Sequence, residues 1–298
     1  MKVPLALKPG REEPWTPLRI VESFLVSGCP PEAFSFYPTD YSGAAQILLR
    51  SGRSMLFGDE STVGPWKHDH RIQIHGPGWS KIVIGEDKVA GWQEYLNVII
   101  TSVIENAGRS CINASGVWVT NRGREIAQAL AVHLAQIEAK SMEDPNAQLA
   151  AFTKPKVARR INAWIDSHLK VDGAIDLTEQ IRGSRLVEKE GGAFLLPTVL
   201  WCEDPTHPLA NAEFLFPFVS VVQVSRDQLL SAIGPTLVVT AITEDEGLIR
   251  QLFASPNVER LNLGAIPTNR IAWDQPHEGN LFEHLYRQRA LQTAESLQ

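Results

Sequence analysis

The sequence predicts an α/β protein built on a doubly wound parallel sheet, and three observations predict it. Over the first ninety residues, short apolar runs alternate with stretches of helical periodicity, the rhythm of strands joined by crossover helices. The runs are rich in β-branched or aromatic residues, and most close on Gly or Pro. At 298 residues the chain is long enough for about two domains and a sizeable buried core.

The strand candidates are residues 3–7, 34–37, 54–57, 71–74 and 82–84. Between the first two, residues 16–27 place Leu18, Val21, Glu22 and Leu25 at helical spacing, and Gly28 follows as a helix-ending residue. Such sheets bind ligands at the carboxyl ends of their strands. No G-x-G-x-x-G follows the first strand, so the usual dinucleotide fingerprint is absent. Residues 89–104 read as a helix with Trp92, Leu96, Ile99, Ile100 and Val103 on one face, and the first domain is placed at residues 1–104. A second α/β domain, residues 105–262, has helical stretches at 124–137 and 157–169. Its strands are expected around 194–201, 216–224 and 237–242, and its loops at 141–148 and 204–208. A C-terminal segment, residues 263–298, turns helical and polar from Glu278.

Composition narrows the function. Lys+Arg 28 against Asp+Glu 34 gives a net charge of −6, and no long basic run offers a nucleic-acid footprint. No apolar stretch reaches the roughly 18 residues of a membrane span. Met1, Lys2, Val3 and Pro4 lack the layout of a signal peptide, so a cytoplasmic address is expected. His68, His70 and His75 lie close in sequence without the Cys or carboxylate spacing of a metal site, and read as turn histidines. The eight tryptophans read as core or interface anchors.

Of the three cysteines, Cys29 and Cys202 read as packing residues. Cys111 stands apart, in Glu105-Asn106-Ala107-Gly108-Arg109-Ser110-Cys111-Ile112-Asn113-Ala114, between a helix and an apolar run. A turn that presents backbone N–H groups beside Arg109 favours a thiolate and offers donors to an oxyanion.

This segment resembles the active-site cysteine motif of the aldehyde dehydrogenase superfamily, which runs Asn, small residue, Gly, Gln, any residue, Cys. Asn106, Ala107, Gly108 and Cys111 match, and Arg109 replaces the Gln. Further motifs follow in the family's order. Leu7-Lys8-Pro9, with Pro14 and Thr16-Pro17 after it, is similar to the first nucleotide-domain strand, whose lysine reaches the adenosine ribose. Pro30-Pro31-Glu32-Ala33-Phe34 is similar to the entry to the second strand. Residues 57–64 are similar to the Phe-Thr-Gly-Ser-Thr-x-x-Gly turn, which places Ser61 among the cofactor-binding residues. Gly191-Gly192 through Phe194 to Pro197-Thr198-Val199 looks like a later strand of the family. Glu213-Phe214-Leu215-Phe216-Pro217 resembles the Glu-Ile-Phe-Gly-Pro motif, whose glutamate holds the nicotinamide ribose.

The resemblance spans about residues 3–262. It implies a five-stranded Rossmann-like parallel-sheet domain followed by an α/β catalytic domain of the aldehyde dehydrogenase type, with NAD or NADP as cofactor. It also implies a route in which the cysteine attacks an aldehyde, hydride passes to NAD(P)+, and water activated by a glutamate hydrolyses the thioester. The oxyanion is held by the cysteine N–H and an asparagine.

The departures are equally specific. Ile74 stands in the column of the base glutamate, or His75 does if one residue is deleted. His75 would then activate water; otherwise it caps a strand end. The family's oxyanion asparagine lies upstream of the first nucleotide-domain strand, and this chain begins almost at that strand, so roughly the first third of a typical member is expected to be absent. Beyond Leu261-Asn262 the family's Pro-Phe-Gly-Gly is replaced by Pro276-His277-Glu278-Gly279. Arg11 occupies the place of a ribose-binding glutamate and suits a 2′-phosphate, while Glu12 or Glu13 suits the unphosphorylated ribose.

Three functions follow. The first is an aldehyde oxidoreductase with Cys111 as nucleophile, His75 as base, and Lys8, Ser61 and Glu213 on the cofactor. The second is a variant that passes the acyl group to coenzyme A. The third is a catalytically silent homologue that binds nucleotide or a partner subunit. A second copy of the chain, or a partner chain, is expected to cover apolar surface left by the absent segment.

Overall fold

The computed structural model describes residues 3–141, 143–189, 192–272, 274–275, 279–286 and 292–293. Gly191, Pro276, His277 and Glu278 lie outside the described residues, as does most of the tail beyond Tyr286 that was expected to be helical. The chain divides into two units, Met1–His75 with Phe282–Gln298, and Gly76–Leu281.

In the first unit, β1 (Leu5–Leu7) lies parallel to β2 (Phe34–Phe36), joined through α1 (Trp15–Val26). Gly28 has φ 91°, and the N–H groups of Gly28 and Cys29 bond back to the carbonyls of Leu25 and Phe24. This closes α1 where the sequence placed its end. Asp40 caps α2 (Tyr41–Arg50) by accepting from Gly43 N at 2.9 Å. β3 (Ser54–Phe57) then pairs in parallel with β4 (Ile72–His75) across the single turn α3 (Glu60–Val63). From the C-terminal side, His284 of the short helix Leu281–Leu285 bonds to the Ser54 carbonyl at 2.9 Å.

Four of the five expected strands thus form two parallel pairs, and the fifth belongs to the other unit, so the expected five-stranded count is corrected. The reason is legible in burial. Ile82, Val83 and Ile84 are each 0% exposed, and consecutive apolar residues need a sheet covered on both faces.

The second unit supplies that cover. β5 (Lys81–Ile84) leads through a 3-10 stretch, Val89–Tyr95, into α4 (Leu96–Ile104); Gly91, at φ −100° and ψ 27°, breaks the single helix expected over 89–104. After β6 (Gly116–Val119) come α5 (Gly123–Leu134) and α6 (Pro155–His168), close to where periodicity placed them. β7 (Ala174–Asp176) and α7 (Leu177–Arg182) precede the hairpin of β8 (Leu186–Lys189) and β9 (Gly192–Leu195). β10 (Thr198–Cys202), β11 (Phe218–Gln223), α8 (Leu229–Ile233), β12 (Thr236–Ile242), α9 (Glu246–Phe253) and β13 (Val258–Leu263) complete the unit.

Seven strands form one sheet in the order β13-β12-β5-β6-β11-β10-β7. Its pairings are parallel except that of β7, which runs antiparallel to β10. Alternate residues serve opposite cores. Val83, Trp118, Val222 and Val239 pack on one face, while Ile82, Ile84, Val117, Val119 and Val221 pack on the other with α4 and α5.

Candidate active site

The Cys111 turn is built at the end of α4 from an unusual backbone. Asn106, Ala107 and Gly108 are all left-handed, at φ 53°, 53° and 66°. That conformation costs about 1–2 kcal/mol for each residue other than glycine, so the surroundings must hold it. Gly108 shows how: a Cβ there would stand 2.5 Å from Pro217 N, so only glycine lets this chain lie against the end of the Glu213–Pro217 motif.

Asn113 then ties down the turn. Its own N–H bonds to Ser110 O at 2.9 Å, and its Oδ1 accepts from Ser110 N at 2.9 Å. Its Nδ2 donates to Ser102 O at 2.9 Å and Glu105 O at 3.0 Å. No local pattern marks this role, because the bonds to Ser102 and Glu105 form only where the end of α4 folds back against the turn. Cys111 itself is partly buried and packs with Ile112, Leu237 and Val238.

Residues 78–80 support the Cys111 carbonyl from the other side. Ser80 Oγ donates to Cys111 O at 2.8 Å, and a Cβ on Gly78 would come within 1.9 Å of that same oxygen. The segment is held in turn by Glu213, whose Oε1 accepts from Gly78 N at 3.0 Å and whose Oε2 accepts from Trp79 N. Burial raises the Glu213 pKa, against the lowering effect of those two N–H groups and of Lys81. The structure therefore brings two sequence-predicted residues, Cys111 and Glu213, to one segment of backbone.

Arg109 departs from its expected place as the charge that supports a thiolate. Its Nη2 donates to the carbonyls of Ala150 and Ala151 at 2.9 and 3.0 Å, and its guanidinium lies 4.7 Å from the centre of the Phe152 ring. Burial lowers its pKa. The residue braces the wall of a cleft of about 550 Å³, also lined by Thr101, Ile104, Asn106 and Leu149.

The remaining candidates lie in the first unit. Lys8 is half-buried just past β1. The Ser61 hydroxyl donates to Asp59 Oδ1 at 2.7 Å, and the same oxygen accepts from Thr62 N at 3.0 Å. These bonds hold the Asp59 carboxyl below its usual pKa. His75 ends β4 at 7% exposure, its ring stacked on Phe57 at 4.4 Å between centroids, while Phe57 itself is 67% exposed. Arg11 lies 5.7 Å over the Tyr41 ring, and Glu13 accepts from the N–H groups of Trp15 and Thr16 at the start of α1. Among the described residues, no group of three or more His, Cys, Asp or Glu is placed to hold a metal ion, and no helix is long and apolar enough to cross a membrane.

A family model described as the aldehyde dehydrogenase family matches residues 5–233. No curated protein matches the chain in sequence. Among solved structures, the fold is similar to an aldehyde dehydrogenase from Bacillus cereus in complex with NAD+, at 19% identity and a TM-score of 0.75, covering 92% of this chain and 56% of that one. It is also similar to a 1-pyrroline-5-carboxylate dehydrogenase mutant from Thermus thermophilus, at 17% identity and a TM-score of 0.76, covering 92% and 55%. A gamma-glutamyl-gamma-aminobutyraldehyde dehydrogenase from Burkholderia cenocepacia J2315 is similar at 16% identity and a TM-score of 0.73, covering 90% and 55%. The chain thus spans a little over half the length of these structures.

Proposed function

Because the chain belongs to the aldehyde dehydrogenase family, we propose that it is an NAD(P)-dependent oxidoreductase of aldehydes with Cys111 as its nucleophile. One observation carries the reading: residues 78–80 seat the Cys111 carbonyl on one side and take the Glu213 carboxylate on the other. A nucleophile held by packed backbone is oriented before substrate arrives, which removes part of the entropic barrier.

Glu213 fits a ribose of a dinucleotide: it accepts one N–H at each oxygen, and a carboxylate oxygen retains a lone pair for a ribose hydroxyl. Lys8, half-buried just past β1, is the residue that the family resemblance assigns to the adenosine ribose. The start of α3 does not fit a pyrophosphate, because Asp59 already fills it with negative charge, so Ser61 has no part in this reading. When bound, NAD(P) supplies the hydride acceptor.

The protein's own part is to add the Cys111 sulfur to the aldehyde carbon, giving a thiohemiacetal that becomes a thioester once hydride has left. Opening that thioester needs a nucleophile. His75 sits beneath Phe57 and Ile74 carries no base, which favours a thiol acceptor such as coenzyme A over water.

The test is single-turnover NAD(P)H formation, with protein in excess over a panel of short and aromatic aldehydes, comparing wild type with Cys111→Ala. A burst that the variant lacks is expected, and with aldehyde then supplied in excess, turnover continues only when coenzyme A is added. Continued turnover without coenzyme A would restore a hydrolytic route. No burst, with dinucleotide binding intact by fluorescence, would make the chain a silent nucleotide-binding homologue.

A further inference from the structure

Lys81 has no place in the reading above, yet it lies in the middle of the sheet with 1% of its surface exposed. Its stem passes Gly116 on the neighbouring strand β6, where a Cβ would stand 3.4 Å from Lys81 Cγ and 2.8 Å from Trp118 Nε1. Glycine there leaves room for both side chains. The ammonium donates to the Trp79 carbonyl at 2.7 Å and to Thr236 Oγ1 at 3.3 Å. Trp79 has φ 45°, a left-handed conformation that a residue with a Cβ adopts only when it is held there. Its N–H is held by the Glu213 carboxylate and its C=O by the Lys81 ammonium, so opposite charges grip the two ends of one strained residue.

We propose that Lys81 is a positioning residue for Cys111, acting through Trp79: together with Glu213 it locks residues 78–80 against the Cys111 carbonyl. The proposal rests on the reading of Cys111 as the nucleophile; of the groups in the lock, Glu213 belongs to a family motif, whereas Lys81 and Trp79 do not. Its geometry implies pH dependence. Burial lowers the Lys81 pKa to about 7, and Glu213 opposes that shift. Glu213 is the charged group acting on Lys81; β6 presents Gly116 to it and β12 presents the Thr236 hydroxyl, neither of which titrates. The lock therefore loses the ammonium charge as pH rises through about 7, while burial, by raising the Glu213 pKa, favours the neutral carboxyl on the acid side.

Thiol alkylation tests this without cofactor or aldehyde. The whole protein is treated with iodoacetamide from mildly acidic to mildly alkaline pH, and each cysteine is followed by peptide mass. Partly buried Cys29 is the rate reference. Buried Cys202, whose thiol burial pushes up to about 12, stays unlabelled while the fold holds. Wild-type Cys111 is expected to react faster than Cys29, with an inflection near pH 7 besides that of the thiol itself. In Lys81→Gln the Cys111 rate falls on the order of tenfold, as misplaced reactive groups do, and the inflection near pH 7 disappears.

An unchanged rate and profile in folded Lys81→Gln overturns the proposal while leaving the function reading intact. If Cys202 becomes labelled, Thr236→Val decides instead, because it removes one acceptor of the ammonium. A smaller fall rescued by Thr236→Ser supports the lock, and no change overturns it. A wild-type Cys111 no faster than Cys29 overturns the nucleophile reading and the proposal together.

Discussion

The unit Gly76–Leu281 is built on seven strands whose central residues are shielded on both faces, whereas Met1–His75 pairs its strands two by two and buries little. In the first, Ile84, Val117 and Leu200 are each 0% exposed; in the second, Trp15, Phe57 and Val26 are 61%, 67% and 90% exposed. The proposed roles divide along the same line. Cys111 and Glu213, the proposed nucleophile and ribose ligand, are carried by the deeply packed unit. Lys8, Ser61 and His75 sit on short elements of the shallow one. A fully buried Val, Leu or Ile contributes about 1.5–3 kcal/mol, and strained backbone such as residues 106–108 persists only where such packing over-determines it.

The sharpest way to break the comparison is Gly78→Ala. Its Cβ would meet the Cys111 carbonyl at 1.9 Å, backbone against backbone, so the turn must move. Single-turnover rate is expected to fall about 100-fold or more. A variant with wild-type rate would show that the packed segment does not position the nucleophile. Next in size is a paired core test by urea denaturation. Ile84→Ala should cost about 2–5 kcal/mol, while Val26→Ser, at a 90% exposed site, should stay within about 0.5 kcal/mol. Equal costs would erase the distinction between the units.

The most gradual effect is the pH slope of stability. Lys81 has a folded pKa of about 7 and an ordinary value of 10.5, so between these the unfolded chain holds the extra proton. Stability should therefore rise with pH across that window, by at most about 1.4 kcal/mol per unit, and Lys81→Met should flatten the rise. Glu213, raised by burial, acts in the opposite sense: its contribution is present below its ordinary 4.5 and is lost as pH rises through its folded value. A Lys81→Met slope equal to wild type would show that burial does not lower the Lys81 pKa.

Local signals carried much of this fold. Apolar runs located β1 to β5 to within a few residues, helical periodicity located α1, α5 and α6, and Gly28 marked a real helix end. Short or mixed elements escaped: β7, β8, β13 and α9 have too few periodic residues to stand out, although Asp245 caps α9 by accepting from Gly247 and Leu248 N–H. In the site, Cys111 and Glu213 were legible from their motifs. Asn113, Gly78 and Lys81 were not assigned roles, because each acts through a contact that no local pattern encodes.

By itself, then, the sequence determined the α/β class, the family, and the residue types available for chemistry, since periodicity and motif are properties of neighbours along the chain. Only the tertiary structure decided which sheet β5 joins, that Arg109 braces the carbonyls of residues 150 and 151, and that Lys81 and Glu213 grip Trp79 from opposite ends. Those outcomes depend on which residues far apart in sequence exclude water together. Lys81 and Thr236, 155 residues apart, meet only because β5 and β12 pair in the sheet.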